Sequence, residues 1–137
     1  MLRRLAYSTL AAAAVFTLAA CEDSATKESD LKTISGTVAY RERIALPPSA
    51  KVKVSLVDVS LADAPSTTIA ETEFTPSGSV PIPYTLSYDP SKITEGHSYA
   101  LQARVTDQDK LLFITDTHIR ALGENPDSTD LMMVKVQ

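Results

Sequence analysis

The chain has 137 residues, with 13 Lys and Arg against 17 Asp and Glu, and a formal charge of −4 at pH 7. Its single cysteine excludes an internal disulfide, so any fold must stand on packing alone. The acidic balance and the lack of a basic cluster speak against nucleic acid as a partner.

The first twenty residues follow the plan of a secretory signal peptide. Met1-Leu2-Arg3-Arg4 is a short positive start, Leu10 to Phe16 is an apolar centre, and Thr17 to Ala20 are small or apolar. A membrane-spanning helix needs roughly 20 apolar residues. This run is shorter and is interrupted by Tyr7, Ser8, Thr9 and Thr17, so a cleaved signal is the better reading. Leu2 before the arginine pair and Leu5-Ala6-Tyr7 after it fit a twin-arginine signal poorly, which favours the general secretory route.

Leu18-Ala19-Ala20-Cys21 closes the segment. It resembles the lipobox of bacterial lipoproteins, which implies cleavage between Ala20 and Cys21 and a diacylglycerol thioether on Cys21. No core surrounds Cys21, since the polar run Glu22 to Asp30 follows it directly. Two acyl chains plus a third on the freed amine would anchor stably, whereas one chain binds membranes only marginally. Glu22 stands where an aspartate would resemble an inner-membrane retention signal, so the expected address is the periplasmic face of the outer membrane. Residues 1–20 are therefore expected to be the signal peptide, 21–30 the lipidated cysteine and a flexible tether reaching about 15–20 Å, and 31–137 one folded domain. Without Arg3 and Arg4 the remainder has eleven basic and seventeen acidic residues, a charge of −6.

From Leu31 onward the apolar period is two. Ile34, Gly36, Val38 and Tyr40 alternate with Ser35, Thr37, Ala39 and Arg41, and Gly36 marks a bulge or a close backbone approach. Lys51 to Leu61 reads as a second strand whose apolar phase switches after Leu56, which requires a bulge or a change of sheet. Thr67 to Phe74 is a third. Val80 to Tyr88 is a fourth, with Ile82, Tyr84, Leu86 and Tyr88 inward and with Pro81 and Pro83 marking an edge. A turn region from Asp89 to Gly96 has room for one helical turn. Tyr99 to Val105 alternates cleanly, and a tight polar connection leads into Leu111 to Thr115, apolar on both faces and hence central. Leu131 to Val136 is the last strand. Seven short strands without a long helical period predict an all-β fold, a single antiparallel β-sandwich.

A search for chemistry returns little. No G-x-S-x-G, phosphate loop or H-E-x-x-H is present, so no catalytic, metal or cofactor residues are assigned and the chain is read as a non-enzyme. His97 and His118 read as solvated or satisfied surface histidines. From Asp107, the glycine and glutamate positions of an EF-hand loop hold Leu112 and His118, so Asp107, Asp109 and Asp116 read as turn aspartates. Glu71 and Glu73 read as solvated strand residues. Tyr40, Tyr84, Tyr88 and Tyr99 either cap the core or line a groove for a sugar or peptide.

The pieces Val38-Ala39-Tyr40-Arg41-Glu42-Arg43-Ile44-Ala45-Leu46-Pro47-Pro48 and Val52-x-Val54-x-Leu56-x-Asp58-Val59-Ser60 carry a resemblance. So do Ile69-Ala70-Glu71, Pro81-Ile82-Pro83-Tyr84-x-Leu86-x-Tyr88-Asp89-Pro90 and Leu111-Leu112-Phe113-Ile114-Thr115. Together, over about residues 34–120, they resemble the YbaY/YscW family of bacterial lipoproteins, whose named branch is the type III secretion lipoprotein chaperone, or pilotin. The resemblance implies a β-sandwich, a lipid anchor and no enzymatic activity. In the pilotin branch it implies binding a secretin subunit and escorting it to the outer membrane. Two other readings stand beside it: a module for envelope polysaccharide or peptidoglycan, and a structural lipoprotein with no dedicated ligand. For a protein client, strand addition at the edge near Val80 to Tyr88 is the expected mode.

Overall fold

The structure is a computed structural model that describes residues 30–137. The signal peptide, Ala20, Cys21 and the segment up to Ser29 lie outside the described residues. Among the described residues there are eight strands: β1 Lys32–Tyr40, β2 Ala50–Asp58, β3 Thr67–Phe74, β4 Ile82–Tyr88, β5 Tyr99–Asp107, β6 Lys110–Ile114, β7 Ile119–Arg120 and β8 Leu131–Lys135. A short 3₁₀ turn, Pro90–Lys92, follows β4 and is capped by the Asp89 carboxylate on the Ser91 N–H. Among the described residues, no helix is long and apolar enough to cross a membrane.

The all-β expectation holds, with a different closure. Hydrogen-bonded neighbours run β3-β2-β5-β6-β8-β1-β4 in one path, and β7 pairs with β5 off that path. The two ends of the path, β3 and β4, lie side by side without a ladder joining them. The sheet is thus rolled toward a barrel with one open seam, rather than divided into two separate layers. It is also not wholly antiparallel. β1 and β8 run parallel, Val38 to Tyr40 opposite Leu131 to Met133.

The interior is filled by the inward residues of each alternating strand. Val38, Val52, Val54, Leu56, Leu86 and Val105 are completely buried. Tyr40 and Phe113 stack inside with ring centroids 4.2 Å apart. β4 follows a strict two-residue period, with Ile82, Tyr84, Leu86 and Tyr88 buried and the residues between them exposed. It pairs only with β1, so its second edge is free and Pro83 is tolerated there.

The phase switch in β2 coincides with a bulge. Leu56 pairs with Ala70 and Val57 with Thr68, leaving Ile69 of β3 as the extra residue. Ser55, Leu56 and Val57 are all buried. The strand stops at Asp58 rather than continuing to Leu61, which is 72% exposed. The Asp58 carboxylate accepts the Ser60 N–H at 3.0 Å and turns the chain out of the ladder. β5 and β6 are joined by a two-residue hairpin with Gln108 and Asp109 at positive φ, the geometry of a type I′ turn. β6 lies centrally between β5 and β8, as its two-sided apolar character predicts. Its outward face is only partly covered, since Ile114 is exposed.

Candidate functional site

The four tyrosines belong to the core, not to a groove. Tyr40, Tyr84, Tyr88 and Tyr99 are all buried. Tyr40 donates to the Ile44 carbonyl and Tyr84 to the Thr129 carbonyl, both at 2.7 Å, while the Tyr99 hydroxyl accepts the Thr94 N–H. Burial, followed by the charge of Asp130, pushes the Tyr84 hydroxyl up to about 12. Gly36 stands directly opposite Tyr84 in the β1–β4 ladder. A Cβ added there would meet the same Thr129 carbonyl oxygen at 2.1 Å. Gly36 is therefore a site of close backbone approach, the second of its two expected meanings. The Thr129 hydroxyl bonds the Ser35 carbonyl at 2.8 Å, and Thr37 bonds Asp130 at 3.0 Å. These contacts fix the segment leading into β8 across β1.

One polar cluster joins residues far apart in sequence. His97 Nδ1 lies 2.6 Å from Asp58 Oδ2. Ser60 donates its hydroxyl to Asp58 Oδ1 at 2.5 Å and accepts the Ser98 N–H at 2.9 Å. The Ser60 hydroxyl first, then His97, then the Ser60 N–H, lower the Asp58 carboxyl to about 2. A serine nucleophile needs its hydroxyl against a base such as histidine. Here the hydroxyl is spent on the carboxylate, and the histidine takes the other oxygen of that carboxylate. The cluster ties the end of β2 to the start of β5. The His97–Asp58 contact joins residues 39 positions apart and leaves no local pattern in the sequence.

The other candidate residues are scattered. Glu71 and Glu73 face Lys51 and Lys53 across the β2–β3 ladder at 3.4–3.9 Å, an exposed cross-strand charge ladder of modest worth. Asp107 accepts the Ser49 hydroxyl. No group of three or more His, Cys, Asp and Glu among the described residues is placed to hold a metal ion.

The outward face of β8 is the most distinctive surface. Met132, Val134 and Ile114 are 43%, 38% and 37% exposed, and Ile114 pairs directly with Val134. A cleft of about 350 Å³ opens over Met132 and Val134, with Arg41 and Glu42 on one side and Asp116 and Thr117 on the other. It forms where β1 leaves β8 after Tyr40, opposite Met133, and where β6 leaves it on the other side after Ile114, opposite Val134. Glu42 is one of the lining residues, and its Oε2 atom is buried without a hydrogen-bond partner. A lone glutamate beyond a strand end carries no signal of this in the sequence.

Comparison with known proteins places this fold. The chain matches the family model described as type III secretion system lipoprotein chaperone (YscW) over residues 29–133. It is 38% identical over 117 residues to the uncharacterized lipoprotein YbaY of Escherichia coli K12, an alignment covering 83% of this chain and 62% of that protein. Among solved structures it is similar to an alternative pilotin from the type II secretion system of Vibrio cholerae. The identity is 45% and the TM-score 0.74, covering 78% of this chain and 98% of that one. The match to the family model over residues 29–133 makes the chain a member of the YscW family of lipoprotein chaperones.

Proposed function

We propose that the chain is a lipid-anchored, non-catalytic envelope lipoprotein whose β domain binds another envelope protein and escorts it to the outer membrane. The observation that carries this reading is the similarity to the Vibrio cholerae pilotin, which extends over 98% of that chain at 45% identity. The described surface agrees in kind. Its tyrosines serve the core and its polar cluster ties strands, while an apolar face remains for a macromolecule. In this reading the chain is cut between Ala20 and Cys21, lipid on Cys21 holds it at the periplasmic face of the outer membrane, and the client is an outer-membrane protein such as a secretin. No cofactor, metal or nucleic acid takes part.

Two measurements test this together. Intact mass of membrane-extracted protein is expected to show an N-terminal, acylated Cys21, and Cys21→Ser to leave the outer-membrane fraction. The lipidated chain, used as bait in envelope extract, is expected to retain an outer-membrane protein whose outer-membrane level falls when the chain is deleted. Retention on peptidoglycan or polysaccharide with no protein partner overturns the chaperone reading in favour of a polymer-binding module.

A further inference from the structure

We propose that Met132 is a reversible oxidation site: a peroxide converts its thioether to the sulfoxide while the adjacent Met133 stays reduced. The site needs no particular occupant of the β8 face and stands apart from the chaperone reading.

Met132 and Met133 are the only methionines among the described residues, and alternation along β8 sends them to opposite faces of the sheet. Met133 faces inward opposite Tyr40 and is 1% exposed, whereas Met132 faces outward and is 43% exposed. The neighbouring strands leave the outward side chain open on both sides. On one side Met132 pairs with Ala39 of β1, whose single methyl covers little. On the other, the β6–β8 ladder runs only from Phe113 opposite Lys135 to Ile114 opposite Val134, so no β6 residue pairs with Met132. Met132 lines the cleft of about 350 Å³ that opens there. A water takes about 30 Å³ of liquid volume. Hydrogen peroxide is only one oxygen larger, so the cleft admits it.

The chemistry follows from that access. A thioether does not ionise, so exposure rather than a neighbouring base sets its reactivity. The Met132 sulfur lone pair attacks one peroxide oxygen. An S–O bond forms and the O–O bond breaks; sulfur is oxidised by two electrons and the peroxide is reduced to water. The new oxygen is a hydrogen-bond acceptor, and Arg41 and Thr117 in the lining of the same cleft carry N–H and O–H donors. A dithiol reductase reverses the step: the oxygen leaves as water and the dithiol becomes a disulfide. The product puts a polar, chiral group on the outward apolar face that Met132 forms with Val134 and Ile114. Met133 belongs to the core cluster, where peroxide reaches it only when the domain opens.

The test uses the full chain in mild detergent with hydrogen peroxide, and the urea-unfolded chain as control. Trypsin releases Ala121 to Lys135 as one peptide carrying both methionines, and fragment ions between them locate the added oxygen. In the folded chain Met132 is expected to oxidise at least about tenfold faster than Met133, and in urea the two within about twofold, because susceptibility follows exposure. The melting midpoint of the chain oxidised at Met132 is expected to stay within about 2 °C of the parent, as for any outward group. The two epimer-specific methionine sulfoxide reductases, with dithiothreitol, are expected to remove the oxygen from the folded chain. A smaller rate ratio in the folded chain, faster oxidation of Met133, or an oxygen that the reductases leave in place overturns the proposal. A larger fall in the midpoint also overturns it, because the Met132 sulfur would then be packed rather than open.

Discussion

At the scale of single residues, the Thr129 carbonyl is the tightest point of the fold. It receives the Tyr84 hydroxyl and sits against the Cα of Gly36, and these two residues are cross-strand neighbours. Gly36→Ala puts a methyl 2.1 Å from a backbone oxygen that is held in place on both sides. The expected loss is about 1–3 kcal/mol, the range for overpacking a rigid site, read by urea unfolding. Leu101 tests the opposite defect. It is 1% exposed and part of the core cluster, so Leu101→Ala is expected to cost about 2–5 kcal/mol. Gln102→Ala, its exposed neighbour, is expected to stay within about 0.5 kcal/mol. The glycine's role was legible as one of two alternatives, because glycine inside a strand has few meanings. Which one applied depended on Thr129, more than ninety residues away, and no local pattern reports that.

At the scale of elements, the ends of strands are where sequence and structure part. Lys51 to Leu61 looks continuous because Val57, Val59 and Leu61 keep a period of two. The Asx turn at Asp58 overrides that pattern, and Leu61 ends in solvent. The bulge opposite Leu56 was legible, since a phase switch within one strand leaves few other solutions. β7 was not, because two residues carry no period. The Asp58 turn predicts a pH dependence. The carboxyl sits at about 2 when folded and near 3.8 in an unfolded chain. The unfolded state therefore takes up a proton first as pH falls. The stabilisation is present above about pH 4 and is lost progressively toward pH 2. Urea midpoints measured across that window are expected to fall less steeply for Asp58→Asn than for the parent. The same midpoints at pH 7 are expected to be lower for the variant, because the turn, the His97 contact and the link to Ser98 share that carboxylate. The open seam makes a separate prediction by hydrogen exchange. β2 and β5 have ladders on both edges, whereas β3 and β4 have one each. Amides of β3 and β4 that point into the seam are expected to exchange first, and those of β2 and β5 last.

At the scale of the whole molecule, the all-β class followed from alternation alone, while closure and polarity did not. Alternation states which residues face inward, and it does so equally well for a sandwich and for a rolled sheet. The parallel contact of β1 with β8 joins strands ninety residues apart and has no local trace. The topology nonetheless fixes a direction once the chain is anchored through Cys21, as proposed. The attachment point at Asp30 lies at the end of the molecule formed by the start of β1, the end of β4 and the Pro90–Lys92 turn, because Lys32 pairs with Tyr88. The chain between Arg41 and Ser49 belongs to the opposite end, roughly 30 Å away along β1. Nine residue steps link Cys21 to Asp30 and extend at most about 32 Å, so the tether holds the Asp30 end near the bilayer and leaves the far end to stand off from it. Nitroxide labels on lipid headgroups read this difference. With the lipidated chain in nanodiscs and an isotopically labelled domain, relaxation enhancement is expected to be stronger at Ser91 and Lys92 than at Ile44 and Ala45. Equal enhancement at both ends would mean that the domain lies on its side. The cleft over Met132 and Val134 would then face the bilayer as readily as the periplasm. The predicted polarity keeps the Arg41 and Glu42 wall on the side away from the membrane.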